Sequence, residues 1–442
     1  MALNPEEMRR RRLQKEQERQ QRAQAQKKLW IRLAIAAAVL LVCGAVILVI
    51  VLSGGDEPAA EQPDQTQQTD QTDQTDQTDQ TDDTQQTEDT TETEPAENTT
   101  VIHLAAAGDL NVTDTTVDAG GVAYIYTDAF LDVAHLLADA DISVVNFEGG
   151  IFGNPFGSET ASAPQSMLEA LSKAGVDLVQ LANSYSISGG VSGLRNTING
   201  VRVAGMEPLG VYASNAEFAK SKGYTIRQVN GVKVAFVAFT KGMDGMALPS
   251  GSENCVNVLY TDYSSTYQTV DTEGISRIMD AAAAERPDIT VVLVHWGSEF
   301  NDTISSSQSK ILSLLKSKGA DAVIGTHSHY VQQMTLDPET GNFVAYSLGD
   351  FFGDAARAGS EYSVILDLEI TKDHKTGQTK ITNFTYTPIF TVREKGKPAR
   401  VVRIRETMEA YDNLYLERID AATYESMAYA LERIEARIKS GG

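Results

Sequence analysis

The chain has 442 residues, 42% of them hydrophobic and 22% charged, and its 60 Asp or Glu outnumber its 37 Lys or Arg to give a formal net charge of −23. A balance this acidic excludes a general nucleic-acid binder, which needs a basic face. Two cysteines, Cys43 and Cys255, cannot build a disulfide framework, so a hydrophobic core must hold the fold.

Residues 1–29 carry nine Lys or Arg against four Glu without apolar periodicity, and read as a solvated basic tail. From Leu33 to Leu52 runs "LAIAAAVLLVCGAVILVIVL", twenty uncharged residues. As a helix rising 1.5 Å per residue it spans about 30 Å, one hydrocarbon core, and it lacks the polar face of a soluble helix. This predicts a transmembrane signal-anchor over 30–53. A cleaved signal peptide is the alternative, and the long basic region, the length of the run and the poor small-residue site after it count against cleavage. Lys27, Lys28 and Arg32 precede the run and no positive charge follows before residue 100. That asymmetry predicts a single-pass cell-membrane protein with a cytoplasmic amino terminus and everything after the helix outside.

Residues 54–100 hold fifteen Asp or Glu, no Lys or Arg, and the repeat "QTDQTDQTDQTDQTDD". They have too little apolar surface to offset chain entropy, and predict a disordered, self-repelling linker. At about 5 to 6 Å times √n its span is roughly 40 Å, more when charge extends it. The linker contributes −15 and residues 1–32 contribute +6, which leaves −14 for residues 101–442.

From 101 onward apolar runs alternate with helical patterns: "VIHLAAAGD", "AFLDVAHLLADA", "DISVVNFEGG", "SMLEALSKAGV" and "DLVQLANS". Apolar strands between amphipathic helices predict an α/β domain with a covered sheet. Asn230-Gly231, inside "YTIRQVNGVKVAFVAFT", predicts a two-residue hairpin. The alternation then resumes with a helix over 273–284, the strand "DITVVLVHWG", the helix "SQSKILSLLKSKG" and the strand "DAVIGTHSH". Strands "NFVAYSLGDFFG", "YSVILDLEI" and "KITNFTYTPIFTV" follow, then a last helix over 420–439. No break splits 101–442, which predicts one domain with two sheets.

Ligands of α/β folds sit beyond the carboxyl ends of strands. Polar residues gather at those points: Asp109 with Asn111, Asn146 with Glu148, Asn183 with Ser184, His295, and His327 with His329. A carboxylate and imidazole set on one rim suits a divalent ion, Zn, Mn or Fe. His295 also fits a core histidine, and Asp109 and Glu148 also fit helix caps. In strand geometry the i, i+2 spacing of His327 and His329 aims both rings to one face. His103, His135 and His374 take no role.

"GDL" at 108–110, "NFE" at 146–148, "HWGSE" at 295–299, "GTHSH" at 325–329 and "YSLGDF" at 346–351 resemble, in that order, the signatures of the CapA family of capsule synthesis proteins. That family acts in poly-γ-glutamate capsule production and lies within the calcineurin-like metallophosphatase superfamily. The resemblance covers 101 to about 355. It implies a four-layer α/β/β/α sandwich with one or two metal ions, bound by Asp109, Glu148, His295, His327 and His329. Asn111, Asn146, Asn183, Ser184, Glu299 and Asp350 stand as weaker ligands or supports. Asn111 replaces a histidine common in metallophosphatases, and Asp350 replaces the Asn of "YSLGNF".

"LANSYSISGG" at 181–190 departs from the pattern A-N-N-H-A-L-D-Y-G, with Ser184 for a ligand Asn, Tyr185 at the general-acid position and Ser188 for Asp. A serine hydroxyl is a poor ligand beside a carboxamide, and a phenol is a poor acid at neutral pH. Two functions follow as expectations. One is a membrane-anchored accessory or binding protein of envelope polymer synthesis, with a degraded site and with polymer or membrane proteins as partners. The other is an active metal-dependent hydrolase on an envelope polymer or phosphoester.

Overall fold

Alternation along the apolar strands decides the layering. Strands β1 (Thr99–Asn111) and β2 (Ile142–Glu148) pair in parallel. Ile102, Leu104, Ala106, Ile142 and Val144 join one buried cluster, while Ala105, Ala107, Val145 and Phe147 join another. A period of two sends these sets to opposite faces. The first set meets Val234, Phe236, Val291 and Leu293 of a second sheet. The other packs on the helices Gln165–Ala174 and Gly190–Val203 through Met167, Leu171, Leu194 and Ile198. On the far side of the second sheet, Val237, Phe239, Val292 and Val294 meet Ile275, Met279, Ile311 and Leu315 of the helices Thr272–Ala284 and Ser306–Ser317. The domain is a mixed α/β sandwich of two facing sheets with helices outside both.

The computed structural model describes residues 98–413 and 419–439. The predicted basic tail, the transmembrane helix and the linker up to residue 97 lie outside the described residues. Among the described residues no helix is long and apolar enough to cross a membrane.

The remaining strands are β3 (Leu178–Gln180), β4 (Glu207–Leu209), β5 (Thr225–Val229), β6 (Val232–Thr240), β7 (Ile289–His295), β8 (Ala322–Thr326), β9 (Met334–Leu336), β10 (Phe343–Ala345), β11 (Asp350–Phe352), β12 (Tyr362–Asp373), β13 (Thr379–Val392) and β14 (Arg400–Arg403). The first sheet runs β14-β13-β12-β1-β2-β3-β4 with β11 beside β1, and the second runs β5-β6-β7-β8-β10-β9. The hairpin at Asn230-Gly231 joins antiparallel β5 and β6 with φ of 47° and 81°, the left-handed pair a two-residue turn requires. "AFLDVAHLLADA" forms two short helices, Thr127–Phe130 and Ala134–Ala138, rather than one. Phe130, Val133 and Leu137 still reach the same core, while Leu131 at the break is left exposed.

Two parallel trios fix the site. β1, β2 and β3 run parallel in one sheet, and β6, β7 and β8 run parallel in the other. Their carboxyl ends meet at one edge, where Asn146 Nδ2 lies 3.4 Å from His295 Nδ1 across the sheets.

Candidate metal centre

Asp109 reaches this edge because glycine lets two strands touch. A Cβ on Gly108 would lie 1.8 Å from the Gly349 carbonyl oxygen, and the Asp109 N–H donates to that same oxygen at 3.0 Å. Gly349 itself has φ of 78°, a conformation that favours glycine. The "GD" of 108–109 and the "GD" of 349–350 thus make a single contact, with Asp109 and Asp350 in register between β1 and β11.

Side chains of both sheets converge there in two clusters, Glu148 with His295 and His327, and Asp109 with His329 and Asp350. Within each, one ligand-type atom per residue lies within 4.8 Å of the others. His295 Nε2 is 2.8 Å from Glu148 Oε1 and 3.1 Å from Ser184 Oγ, while its Nδ1 is 3.0 Å from Thr326 Oγ1. His329 Nδ1 is 2.8 Å from Asp350 Oδ1, and its ring stacks on Phe300 at 4.8 Å. Asp109 accepts from Asn146 Nδ2 at 2.6 Å and from the His327 N–H at 2.9 Å.

The electrostatics are those of charges taken out of water. Burial pushes the Asp109 carboxyl up to about 7, with Glu148 adding to it. Burial likewise raises Glu148 to about 8 and lowers His295 to about 4. His327 is held well below its ordinary value by burial and by the neighbouring His295. Burial opposes charge on His329, but Asp350, through its charge and hydrogen bond, together with Glu148 and Asp109 raises this imidazole well above 6.5. Without an added cation, Asp109 and Glu148, buried this close together, resist full ionisation.

Unsatisfied atoms show what the site fits. Both ring nitrogens of His327 and Glu148 Oε2 are buried with no hydrogen-bond partner. Such atoms cost about 1–3 kcal/mol each when left unmet, and nitrogen and oxygen donors of this kind suit a divalent ion. His327 also carries φ of 86° and His329 φ of 58°, so backbone strain is spent where the two rings are aimed.

The sequence-predicted residues thus separate by place. Asp109, Glu148, His295, His327 and His329 all reach the edge, divided between the two clusters. Asp350 stands as a full member of one cluster rather than a support. His327 and His329 lie past the end of β8 in left-handed turns, so strand alternation does not aim their rings. Their centroids are 6.3 Å apart, one in each cluster. Asn146 and Asn183 are structural: Asn183 Nδ2 donates to Asn146 Oδ1 at 3.1 Å and to the Phe147 carbonyl at 2.7 Å, and its Oδ1 accepts from the Tyr185 N–H at 3.0 Å. Asn111 Nδ2 and Asp350 Oδ2 flank the same point above Gly353. Glu299 is exposed and lines a neighbouring cleft, outside both clusters. Tyr185 is 37% exposed, and burial of its hydroxyl end pushes the phenol up to about 12.

Two supports escaped the sequence reading. Thr326 holds His295 Nδ1, and its place at the end of β8 was the available signal. Trp296, fully buried, donates from Nε1 to the Tyr346 carbonyl at 2.8 Å and fixes the chain directly after His295. A buried Trp next to a strand-end His carries no signal that separates anchoring from packing.

The family model described as "Bacterial capsule synthesis protein PGA_cap" matches residues 103–355. The chain is 26% identical over 209 residues to "Capsule biosynthesis protein CapA" of Bacillus anthracis, covering 47% of this chain and 48% of the relative. It is 26% identical over 201 residues to "PGA biosynthesis protein CapA" of Bacillus subtilis (strain 168), covering 46% and 48%. The chain spans about half the length of the curated relatives it matches. Among solved structures it is similar to the calcineurin-like phosphoesterase YfkN from Bacillus subtilis, at 16% identity and a TM-score of 0.42, over 75% of this chain and 99% of that one. A phosphatase from Mycoplasma pneumoniae gives 15% identity and a TM-score of 0.40, over 66% of this chain and 94% of that one.

Proposed function

The chain belongs to the bacterial capsule synthesis protein family, and on that premise we propose that it is a membrane-anchored, extracellular component of capsule or envelope polymer synthesis that binds acidic polymer at a metal centre and is poorly equipped to cleave it. The observation that carries this reading is the pair of buried clusters, one bearing orphaned imidazole and carboxylate atoms. Glu148, His295 and His327 would hold one divalent ion and Asp109, His329 and Asp350 a second. Bound there, Mn, Zn or Fe supplies Lewis acidity and positive charge to an anionic oxygen of the polymer.

The chain's own residues do the rest. Asn146 orients Asp109, Thr326 fixes the tilt of the His295 ring, and Asp350 orients His329. Leaving-group protonation is what the site lacks. Tyr185 stands where a histidine would serve, and a phenol raised to about 12 gives up its proton too reluctantly at neutral pH. Serine-nucleophile hydrolysis is not an alternative route. Ser184 and Glu148 both meet the same nitrogen of His295, whereas a triad needs the acid on the opposite one.

An active metal-dependent hydrolase is the second reading, and Asp350 favours it by completing a three-ligand cluster. Metal content and phosphodiesterase turnover of the full-length protein separate the two. One or two bound ions with negligible turnover support a binding role. Turnover at enzyme-like rates, abolished by His295→Ala, would overturn it, and a folded protein that takes up no divalent ion would sink the metal claim in both readings.

A further inference from the structure

Beside His327 opens a cleft of about 290 Å³ that neither cluster fills, lined also by Ser184, Lys241, Asp244, Tyr267 and Glu299. Lys241 follows β6, and its Nζ is fixed by a hydrogen bond to the Gly297 carbonyl at 3.0 Å and by the Tyr267 ring, 4.8 Å from the centroid. An ammonium has three donors, so this tie leaves others for a ligand. Asp244 and Glu299 are exposed, and among the described residues they carry no hydrogen bond of their own. His327, whose buried ring nitrogens lack partners, forms the wall towards the metal clusters.

One fixed cation with two exposed carboxylates, one of them close enough to Lys241 to feel its charge, is a poor host for a simple anion, which both acids repel. It is equally poor for a simple cation, which Lys241 repels. A group carrying both charges satisfies all three side chains. The volume is at the lower end for small-molecule sites, about 300 Å³ and upward, and suits a single amino-acid unit rather than a run of polymer.

We propose that this cleft is an aminoacyl subsite that takes the free amino end of an acidic aminoacyl polymer, with the carboxylate against Lys241 and the ammonium against Glu299 and Asp244. Tyr267 walls the aliphatic part. This rests on the polymer-binding reading of the adjacent centre and refines it, because only the terminal unit of an amide-linked chain has a free ammonium. The two exposed carboxylates select the chain end against interior units, and Lys241 sets the orientation.

Calorimetric titration of the full-length protein with glutamate and with N-acetylglutamate, which lacks the ammonium, tests this. Metal content is measured on the same samples. Glutamate is expected to bind at least tenfold more tightly. Lys241→Met should weaken glutamate binding tenfold or more, and Lys241→Arg should restore most of it. The double variant Asp244→Asn/Glu299→Gln, which breaks no bond within the described residues, should bind both ligands alike. Equal binding of the two ligands to the natural protein, or no glutamate binding at millimolar concentration, overturns the inference even when metal content is full. Retained glutamate selectivity in metal-free protein supports the subsite and removes the metal reading alone.

Discussion

Asp109 and Asp350 are register partners on the parallel strands β1 and β11, and both stand within one cluster with His329. Two buried carboxylates brought this close need a compensating positive charge. His329 supplies part of it through its 2.8 Å contact with Asp350. Asp350→Asn keeps the shape and removes one charge. It should weaken one ion by at least roughly tenfold while the Glu148, His295 and His327 cluster still binds, so metal analysis should read a loss of stoichiometry rather than of all metal.

Gly108→Ala probes the contact that builds this register. The added methyl would fall 1.8 Å from the Gly349 carbonyl oxygen, a backbone atom that cannot rotate away. Overpacking of this kind costs about 1–3 kcal/mol or more. An unfolding free energy lowered by that amount in denaturant titration, together with weaker metal binding, is the expected result; Gly396→Ala, strained by φ of 78° but with no atom within 4 Å of its Cβ, should leave metal binding unchanged whatever it costs in stability.

Much of this edge is legible in the sequence because strand ends in an α/β fold are topologically forced together. "VVLVH" and "AVIGTH" announce two parallel strands whose terminal residues must share a rim, and they do. The hairpin at Asn230 is equally local, since only left-handed residues fit its turn. What sequence spacing could not give is the side-chain geometry past a strand end. His327 and His329 read as one ligand pair under strand alternation, yet left-handed turns send them to different clusters. Asp350 read only as a weaker ligand or support because its partner Asp109 lies 241 positions away in the chain and is joined to it only through β11. Lys241 went unremarked although it follows a strand end like the others, for a lone lysine carries no ligand signature until a cavity surrounds it.

His103 gives a pH-dependent test away from the metal clusters. Its imidazole is raised above 6.5, first by the hydrogen bond of Nδ1 to Asp367 at 3.1 Å and also by the charges of Asp367, Asp141 and Glu369, against an opposing contribution from burial. A raised folded value means the protonated form is favoured in the native state. Its contribution to stability is therefore full below the unfolded value near 6.5 and is lost as pH rises through the folded one. Histidine-ring NMR should place this titration above that of His103 in Asp367→Asn, and the variant should lose stability at acidic pH more than at alkaline pH. Equal losses at both would show that Asp367 acts by packing alone.

Ser184→Asn with Tyr185→His tests whether the site lacks only its acid. Ser184 Oγ already sits 3.1 Å from His295 Nε2, so a carboxamide at this position can meet the Glu148, His295 and His327 cluster. Tyr185 is held by its backbone N–H to Asn183 Oδ1, a bond that the substitution leaves in place, so an imidazole would start from the same Cα. Its ordinary pKa near 6.5 is close to the operating pH, whereas the phenol at about 12 is far from it. Positioned acid catalysis contributes about 10²- to 10⁴-fold. Phosphodiesterase turnover of the metal-loaded double variant should therefore exceed that of the natural protein by roughly 10²-fold, with metal content and melting temperature little changed. If turnover does not rise although metal content is full, the acid position is not what limits it.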